Sequence, residues 1–144
     1  MVVQRETGKS EHLIFRDLPD ILGPDSFLVI NTTRVFPARL WACRPGKQER
    51  IEILMKREEA PGRWLALVRP ARKAQSGQEL RIGDLHAQVR EVRPGGSRLL
   101  EFARGVDLRA SLGRLGEPPL PSYIRRQPGE ALGQDRERYQ TVFA

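Results

Sequence analysis

Short runs of alternating hydrophobic and polar residues fill the middle of the chain, and turn-forming residues separate them. A hydrophobic residue at every second position predicts a β-strand with one buried face. The runs that follow this pattern over most of their length lie at 38–41, 50–55, 63–68, 79–82, 85–92 and 98–102. Pro45-Gly46, Pro61-Gly62 and Pro94-Gly95-Gly96 stand between them. Closely spaced short strands with such turns predict a small β-barrel or sandwich, which we place at residues 34–104.

The residues before this β-rich segment, 1–33, carry weaker signals. Residues 1–4 and 12–15 flank a turn and predict a hairpin, and residues 18–22 predict one helical turn. Residues 27–30 are continuously apolar, which predicts a strand buried on both faces. Because few segments outside the barrel remain to cover that strand, we expect an exposed apolar patch there and self-association through it.

The residues after the β-rich segment, 105–144, predict one short helix and a connector. Asp107 stands at the position of a helix N-cap, and the hydrophobic pattern after it predicts a helix at 108–112. Residues 116–134 hold four Pro and several Gly, which predicts a loop or linker.

The net charge of +7 on the 144 residues is concentrated in one stretch. Residues 34–73 hold 11 basic and 4 acidic side chains, whereas residues 1–33 hold 3 basic and 5 acidic ones. A basic stretch of this kind is typical of a surface that binds nucleic acid. The chain has 21 Arg against 4 Lys, however, and such a bias also arises from nucleotide composition or thermal adaptation. Charge alone therefore leaves contact with RNA or DNA open.

Composition argues against several protein classes. No apolar run approaches the length of a membrane span, and the N-terminus lacks the pattern of a signal peptide. Cys43 is the sole cysteine, and no metal-ligand spacing or Gly-rich phosphate-binding motif is present. His12 and His86 both lie in predicted strands, which favours a structural or surface role. We therefore expect a cytoplasmic protein without a metal, and spacing alone identifies no catalytic residue.

The polar segment 31–40 follows the predicted buried strand directly. Side chains at such strand ends often contact ligands in α/β sheets. Asn31 and Thr33 can bind polar ligand groups, and Arg34 and Arg39 can hold a carboxylate or a phosphate. A polar turn without a ligand explains the segment equally well.

Two further segments combine positive charge with features suited to RNA. The end of the strand at 63–68 leads into three cations that can hold phosphates, Arg69, Arg72 and Lys73, unless this is only a solvated loop. In the Pro-rich connector, an aromatic ring stands beside two cations and can stack on a base. These residues are Tyr123, Arg125 and Arg126. Taken by itself, the Pro content of that connector favours a rigid linker over an RNA contact.

Four segments resemble, in order, the S-adenosylmethionine:tRNA ribosyltransferase-isomerase family of queuosine biosynthesis. They are NTTRVFPARL at 31–40, WLALVRP at 64–70, PLPSYI at 119–124 and DRERYQTVFA at 135–144. FRDLPD at 15–20 is also similar to an early segment of that family. Thr32 and Ser122 stand where the family normally has Asp and Pro.

The resemblance implies a fold and a reaction. The fold is mainly β, a small β-barrel inserted in parts of an α/β domain that this chain holds incompletely. The chain then divides into three segments. Residues 1–33 and 105–144 belong to the α/β domain, and residues 34–104 form the barrel. The reaction transfers and isomerises the ribosyl part of S-adenosylmethionine onto 7-aminomethyl-7-deazaguanine in a tRNA anticodon, giving epoxyqueuosine. S-adenosylmethionine is consumed as a substrate, so no cofactor is expected.

The resemblance also implies roles for the segments above. We expect Asn31, Thr33, Arg34 and Arg39 to line the substrate pocket and the cations at 69–73 to position the anticodon stem-loop. Family members are much longer, so we expect a fragment that does not turn over by itself. The alternatives are a non-catalytic, basic β-barrel that binds RNA, and a truncated remnant.

Overall fold

The computed structural model of the chain describes residues 1–121, 123–124 and 132–141. The chain separates into two compact units, Met1–Asn31 and Thr32–Ala144. The predicted divisions at 33/34 and 104/105 remain predictions. The strands of the barrel lie within the second unit, between residues 39 and 102.

The first unit contains a hairpin and one helical turn. Strands β1 (Val2–Val3) and β2 (Ser10–Glu11) pair antiparallel. A 3₁₀ turn at Phe15–Asp17 leads into helix α1 at Leu18–Ile21. The predicted hairpin and helical turn are therefore present, but the second strand lies before the predicted one, and none of residues 12–15 belongs to a strand.

The predicted strand at 27–30 is wrong. These residues belong to no strand, and their side chains are exposed, with Phe27 89% and Val29 83% accessible. A strand needs a neighbouring strand to receive its backbone hydrogen bonds, and an apolar run says nothing about that neighbour. The exposure of the run agrees with the patch expected from the sequence, whereas self-association remains a prediction.

Six antiparallel strands form the barrel of the second unit. They are β3 (Arg39–Ala42), β4 (Ile51–Ala60), β5 (Arg63–Arg69), β6 (Glu79–Ile82), β7 (Leu85–Val92) and β8 (Ser97–Phe102). Their order in the sheet is β3-β4-β5-β8-β7-β6. The two edges meet where Cys43 and Arg81 exchange backbone hydrogen bonds of 2.9 and 2.8 Å. This contact nearly closes the sheet, and the predicted mainly β fold with its small barrel is confirmed.

Alternate side chains of the strands fill the barrel. Along β4, Ile51, Ile53 and Met55 are buried, and the residues between them are half-buried. The register shifts after Met55 and again after Glu58, so the end of β4 bends away from the regular ladder. This part of β4 is exposed, and it forms one wall of the groove described below.

Helix α2 (Leu108–Leu115) packs its apolar face onto the barrel core through Leu108 and Leu112. The side chain of Asp107 accepts a hydrogen bond of 3.0 Å from the amide of Ala110, so the predicted cap is confirmed. Helix α3 (Leu132–Arg138) begins inside the region that the sequence predicted as a connector. Among the described helices, none has the length and apolar character needed to cross a membrane.

Candidate functional site

The two ends of the second unit meet beside the barrel. The side-chain amide of Gln140 accepts a hydrogen bond of 2.8 Å from the Val35 amide and donates one of 2.9 Å to the Val35 carbonyl. The Thr141 hydroxyl donates to the Thr33 carbonyl at 3.2 Å. Two segments that lie 105 residues apart in sequence are thereby held together, and both belong to motifs that carried the family resemblance.

Arg39 connects this region to the Pro-rich segment. Its Nε lies 2.9 Å from the Glu52 carboxylate, and its Nη2 donates a hydrogen bond of 2.8 Å to the Leu120 carbonyl. The backbone of Arg39 also exchanges hydrogen bonds of 3.1 and 2.8 Å with Glu117. Arg39 therefore holds residues 117–120 against the edge of the barrel.

Gly116 marks the closest backbone approach in this region. A Cβ atom at this position would lie 2.1 Å from the carbonyl oxygen of Pro37 and 2.5 Å from that of Leu112. The Gly116 carbonyl accepts a hydrogen bond of 2.8 Å from Arg136. Only a glycine allows the end of α2 to pack this tightly against the segment before β3.

A groove of about 910 Å³ opens between this segment, the end of β4 and helix α2. It is lined by four cations, two carboxylates and two aromatic rings: Arg34, Lys56, Arg57, Arg109, Glu58, Glu59, Phe36 and Trp64. We call it the helix groove. Trp64 is buried, and no described residue accepts a hydrogen bond from its indole Nε1. The helix groove therefore combines residues from two resemblance motifs, since Arg34 comes from the first and Trp64 from the second.

The carboxylates of the helix groove already have partners. Glu59 lies 3.1 Å from Arg57 and 2.7 Å from Arg93, and Arg93 foremost lowers the pKa of that carboxyl group. Glu58 accepts a hydrogen bond of 3.3 Å from the Gly62 amide. In the described part of the chain, no carboxylate pairs with the remaining groove cations, Arg34, Lys56 and Arg109.

A second basic feature follows β5, which we call the basic turn and define as residues 69–73. Arg69 and Arg72 are exposed, whereas Lys73 is half-buried and lies 2.9 Å from Glu49. Arg44 contacts the same carboxylate at 2.5 Å. These two cations, Arg44 first, lower the pKa of Glu49 to about 2.

A buried arginine holds the basic turn in place. Arg98 is only 3% exposed, and its guanidinium donates to the carbonyls of Ala71 at 3.0 Å and Ala74 at 2.5 Å. A third hydrogen bond of 3.0 Å goes to the Ser97 carbonyl. The guanidinium thereby satisfies several backbone acceptors at once, which fixes the turn against β8.

The residues predicted to line one substrate pocket do not face one depression. Asn31 is the last residue of the first unit, and Thr33 contacts the C-terminal segment through its carbonyl. Arg34 lines the helix groove, whereas Arg39 lines a separate groove of about 530 Å³ together with Arg69. Among the described residues, the two arginines predicted to act together therefore face different depressions.

The residues predicted to bind tRNA are partly described. Arg69, Arg72 and Lys73 lie in the basic turn, and Tyr123 is 81% exposed. Arg125 and Arg126 lie outside the described residues. Within the described ranges, no group of three or more His, Cys, Asp or Glu side chains could hold a metal ion.

Sequence reasoning missed three residues of this region: Lys56, Arg98 and Arg109. Lys56 and Arg109 lie 53 positions apart, and no local pattern indicates that they share a groove. Arg98 stands in a predicted strand, and the turn that buries it comes 24 residues earlier. An arginine at the start of a predicted strand, directly before Leu99 and Leu100, was the one available signal.

Comparison with known proteins shows one family over the entire chain. The family described as "Queuosine biosynthesis protein" matches residues 1–144. A relative from Moorella thermoacetica, named S-adenosylmethionine:tRNA ribosyltransferase-isomerase, is 44% identical over 100% of this chain and 42% of its own length. A relative of the same name from Desulfitobacterium hafniense is 40% identical over 100% of this chain and 41% of its own length.

A solved structure, the S-adenosylmethionine tRNA ribosyltransferase from Thermotoga maritima, is 38% identical with a TM-score of 0.48. The alignment covers 78% of this chain and 39% of that one. The chain thus spans about two fifths of the length of the curated relatives it matches. By its match to the family over all 144 residues, the chain belongs to the queuosine biosynthesis proteins.

Proposed function

We propose that this chain is part of an enzyme of queuosine biosynthesis that acts on tRNA. The reaction transfers and isomerises the ribosyl moiety of S-adenosylmethionine onto 7-aminomethyl-7-deazaguanine in the anticodon. Its products are epoxyqueuosine in tRNA, adenine and methionine. The relatives named above carry the corresponding name, and their match covers this chain completely.

The observation that carries the proposal is that the resemblance motifs contact one another beside the barrel. The first motif bonds to the last through Val35 and Gln140 and to the third through Arg39 and Leu120. Residues of the second motif enter the same region through Trp64. Segments this far apart in sequence gather in one place when they build a common site or its support.

Within the second unit, Thr33, Arg34 and Arg39 contribute to substrate binding in this proposal, whereas the assignment of Asn31 rests on the resemblance alone. Arg34 is the residue best placed for direct contact, because it is exposed in the helix groove and no described carboxylate neutralises it. Arg39 acts on the pocket indirectly, since it is bonded to Glu52 and Leu120. The reaction also needs a base that removes a proton next to the sulfonium, and we assign that role to no residue of this chain.

We assign the tRNA anticodon stem-loop to the basic surface of the second unit. Arg69, Arg72 and Lys73 contact phosphates in this proposal. In the connector, Tyr123 stacks on a base, and Arg125 and Arg126 hold its phosphate. Because Lys73 is already bonded to Glu49, Arg69→Ala/Lys73→Ala should reduce the salt dependence of RNA binding by about one counterion. An unchanged slope would remove the basic turn from the proposed interface.

A chimera tests the activity. The 144 residues replace the aligned 42% of the Moorella thermoacetica relative, and the product is incubated with S-adenosylmethionine and precursor-modified tRNA. We expect adenine release that depends on the tRNA, and none from the 144 residues alone. A folded chimera that binds tRNA without releasing adenine would favour the non-catalytic RNA-binding alternative.

A further inference from the structure

Three cations without carboxylate partners come together in the helix groove from different parts of the fold. Arg34 precedes β3, Lys56 lies on the bent end of β4, and Arg109 lies in the first turn of α2. All three side chains are exposed. The helix groove holds four cations against two carboxylates, so its net charge is positive and attracts a polyanion.

Aromatic rings lie among these cations. Phe36 is 41% exposed and lines the helix groove, and the buried Trp64 lines it as well. An exposed ring beside arginines gives a base a surface on which to stack while its phosphate is held. The volume of about 910 Å³ lies within the range of small-ligand pockets and exceeds what a single phosphate needs.

Together these features select one kind of polyanion. A paired RNA helix presents phosphates but keeps its bases stacked inside, so it cannot use the ring of Phe36. An acidic peptide would use the cations and would gain little from a flat aromatic face. Unpaired nucleotides satisfy both the cations and the ring.

We propose that the helix groove binds unpaired nucleotides of an RNA loop, with Arg34, Lys56 and Arg109 on the phosphates and Phe36 against a base. The inference rests on the proposed function and assigns part of the RNA contact to a surface distinct from the basic turn. The two surfaces lie at opposite ends of β5, whose six residue steps span about 20 Å.

The test measures binding of a fluorescent RNA hairpin with an unpaired loop to the full chain. In Arg34→Gln/Lys56→Gln/Arg109→Gln we expect the affinity to fall roughly tenfold or more and the salt slope to fall by about two counterions. The control Arg5→Gln/Lys9→Gln/Arg16→Gln removes the same charge from exposed side chains of the first unit. It should leave the slope within about half a counterion of the parent value.

A second variant separates stacking from charge. Phe36→Leu keeps an apolar side chain and should weaken hairpin binding about fivefold, because stacking on one ring contributes at least that factor. Binding of a blunt RNA duplex of equal length should not change. Circular dichroism confirms that each variant is folded, as expected for exposed positions.

The possible outcomes separate this inference from the proposed function. The groove assignment is overturned if both triple variants weaken hairpin binding equally, or if neither does. It is also overturned if Phe36→Leu loses duplex and hairpin binding to the same extent. Failure of the parent chain to bind the hairpin overturns it too. Adenine release by the chimera is measured independently, so the proposed function stands or falls on that assay.

Discussion

The two ends of strand β5 lead to two basic surfaces, which differ in whether their cations are paired with carboxylates. At the helix groove, Arg34, Lys56 and Arg109 have no described carboxylate partner. At the basic turn, Lys73 is bonded to Glu49, and the turn itself is fixed by the buried Arg98. Both surfaces draw on the basic stretch 34–73, so local charge in the sequence does not tell which cations are available to a ligand.

The two surfaces are also held in place by different kinds of contact. Backbone packing at Gly116 builds the helix groove, whereas side-chain hydrogen bonds hold the basic turn. Substitutions can therefore disturb one surface and leave the other intact.

The largest effect is expected at the backbone contact beside the helix groove. Gly116→Ala places a Cβ atom 2.1 Å from the Pro37 carbonyl oxygen, so α2 and the segment before β3 must separate. We expect a loss of about 3 kcal/mol in the free energy of unfolding. The matched control is Gly113→Ala, where no atom lies within 4 Å of the added Cβ.

Gly113 lies inside helix α2, so its replacement by Ala should stabilise the chain by up to about 1 kcal/mol. Urea unfolding of both variants gives the two values. Equal changes in the two variants would show that the close approach at Gly116 does not support the groove.

The basic turn should respond most to loss of its buried guanidinium. Arg98→Met leaves the carbonyls of Ala71, Ala74 and Ser97 without this donor, and we expect a loss of about 2 kcal/mol. Arg98→Lys keeps the charge but not the fork of donors, and should recover part of the loss. Hairpin binding through the helix groove should persist in both variants under conditions where they are folded. Loss of that binding would show that the two surfaces are coupled.

Acid should weaken the basic turn through Glu49. Its pKa is about 2 in the folded chain against an ordinary 4.5, so the ionised carboxylate stabilises the fold fully above about pH 4.5. That contribution declines as the pH falls toward 2. The melting temperatures of the parent and of Glu49→Gln should therefore differ near neutral pH and converge in acid.

Glu6→Gln, at an exposed residue of the first unit, provides the control. Its melting temperature should follow that of the parent at every pH. A difference between parent and Glu49→Gln that stays constant down to about pH 2 would contradict the ion-pair account.

Much of the barrel could be predicted from the sequence, because its signals are local. The alternation of hydrophobic and polar residues that places Ile51, Ile53 and Met55 in the core is visible in a short window of sequence. The turn residues between the strands are visible in the same way. The meeting of Cys43 with Arg81 is not, since closure depends on the curvature of all six strands. The apolar residues 27–30 show the limit of a local signal, because no window reveals whether a pairing strand exists.

The candidate site was less predictable, because local windows of sequence do not reveal which distant residues meet in the fold. The resemblance motifs contain Arg34 and Trp64, but only Arg34 was predicted as a site residue, and nothing in the sequence indicated that Lys56 and Arg109 line the same groove. The sequence analysis also grouped Arg34 with Arg39 in one pocket, whereas the structure places these two residues in separate depressions. Cations form a binding site when tertiary contacts bring them together and when no carboxylate pairs with them.

The most direct test of the account is to map where an RNA loop contacts the chain. A hairpin carrying 4-thiouridine in its loop is cross-linked to the full chain by light, and the attached residues are identified by mass spectrometry. We expect cross-links at Phe36 and its neighbours in the helix groove, and we expect them to be lost in Arg34→Gln/Lys56→Gln/Arg109→Gln. Cross-links confined to the basic turn, and unaffected by those substitutions, would contradict the account.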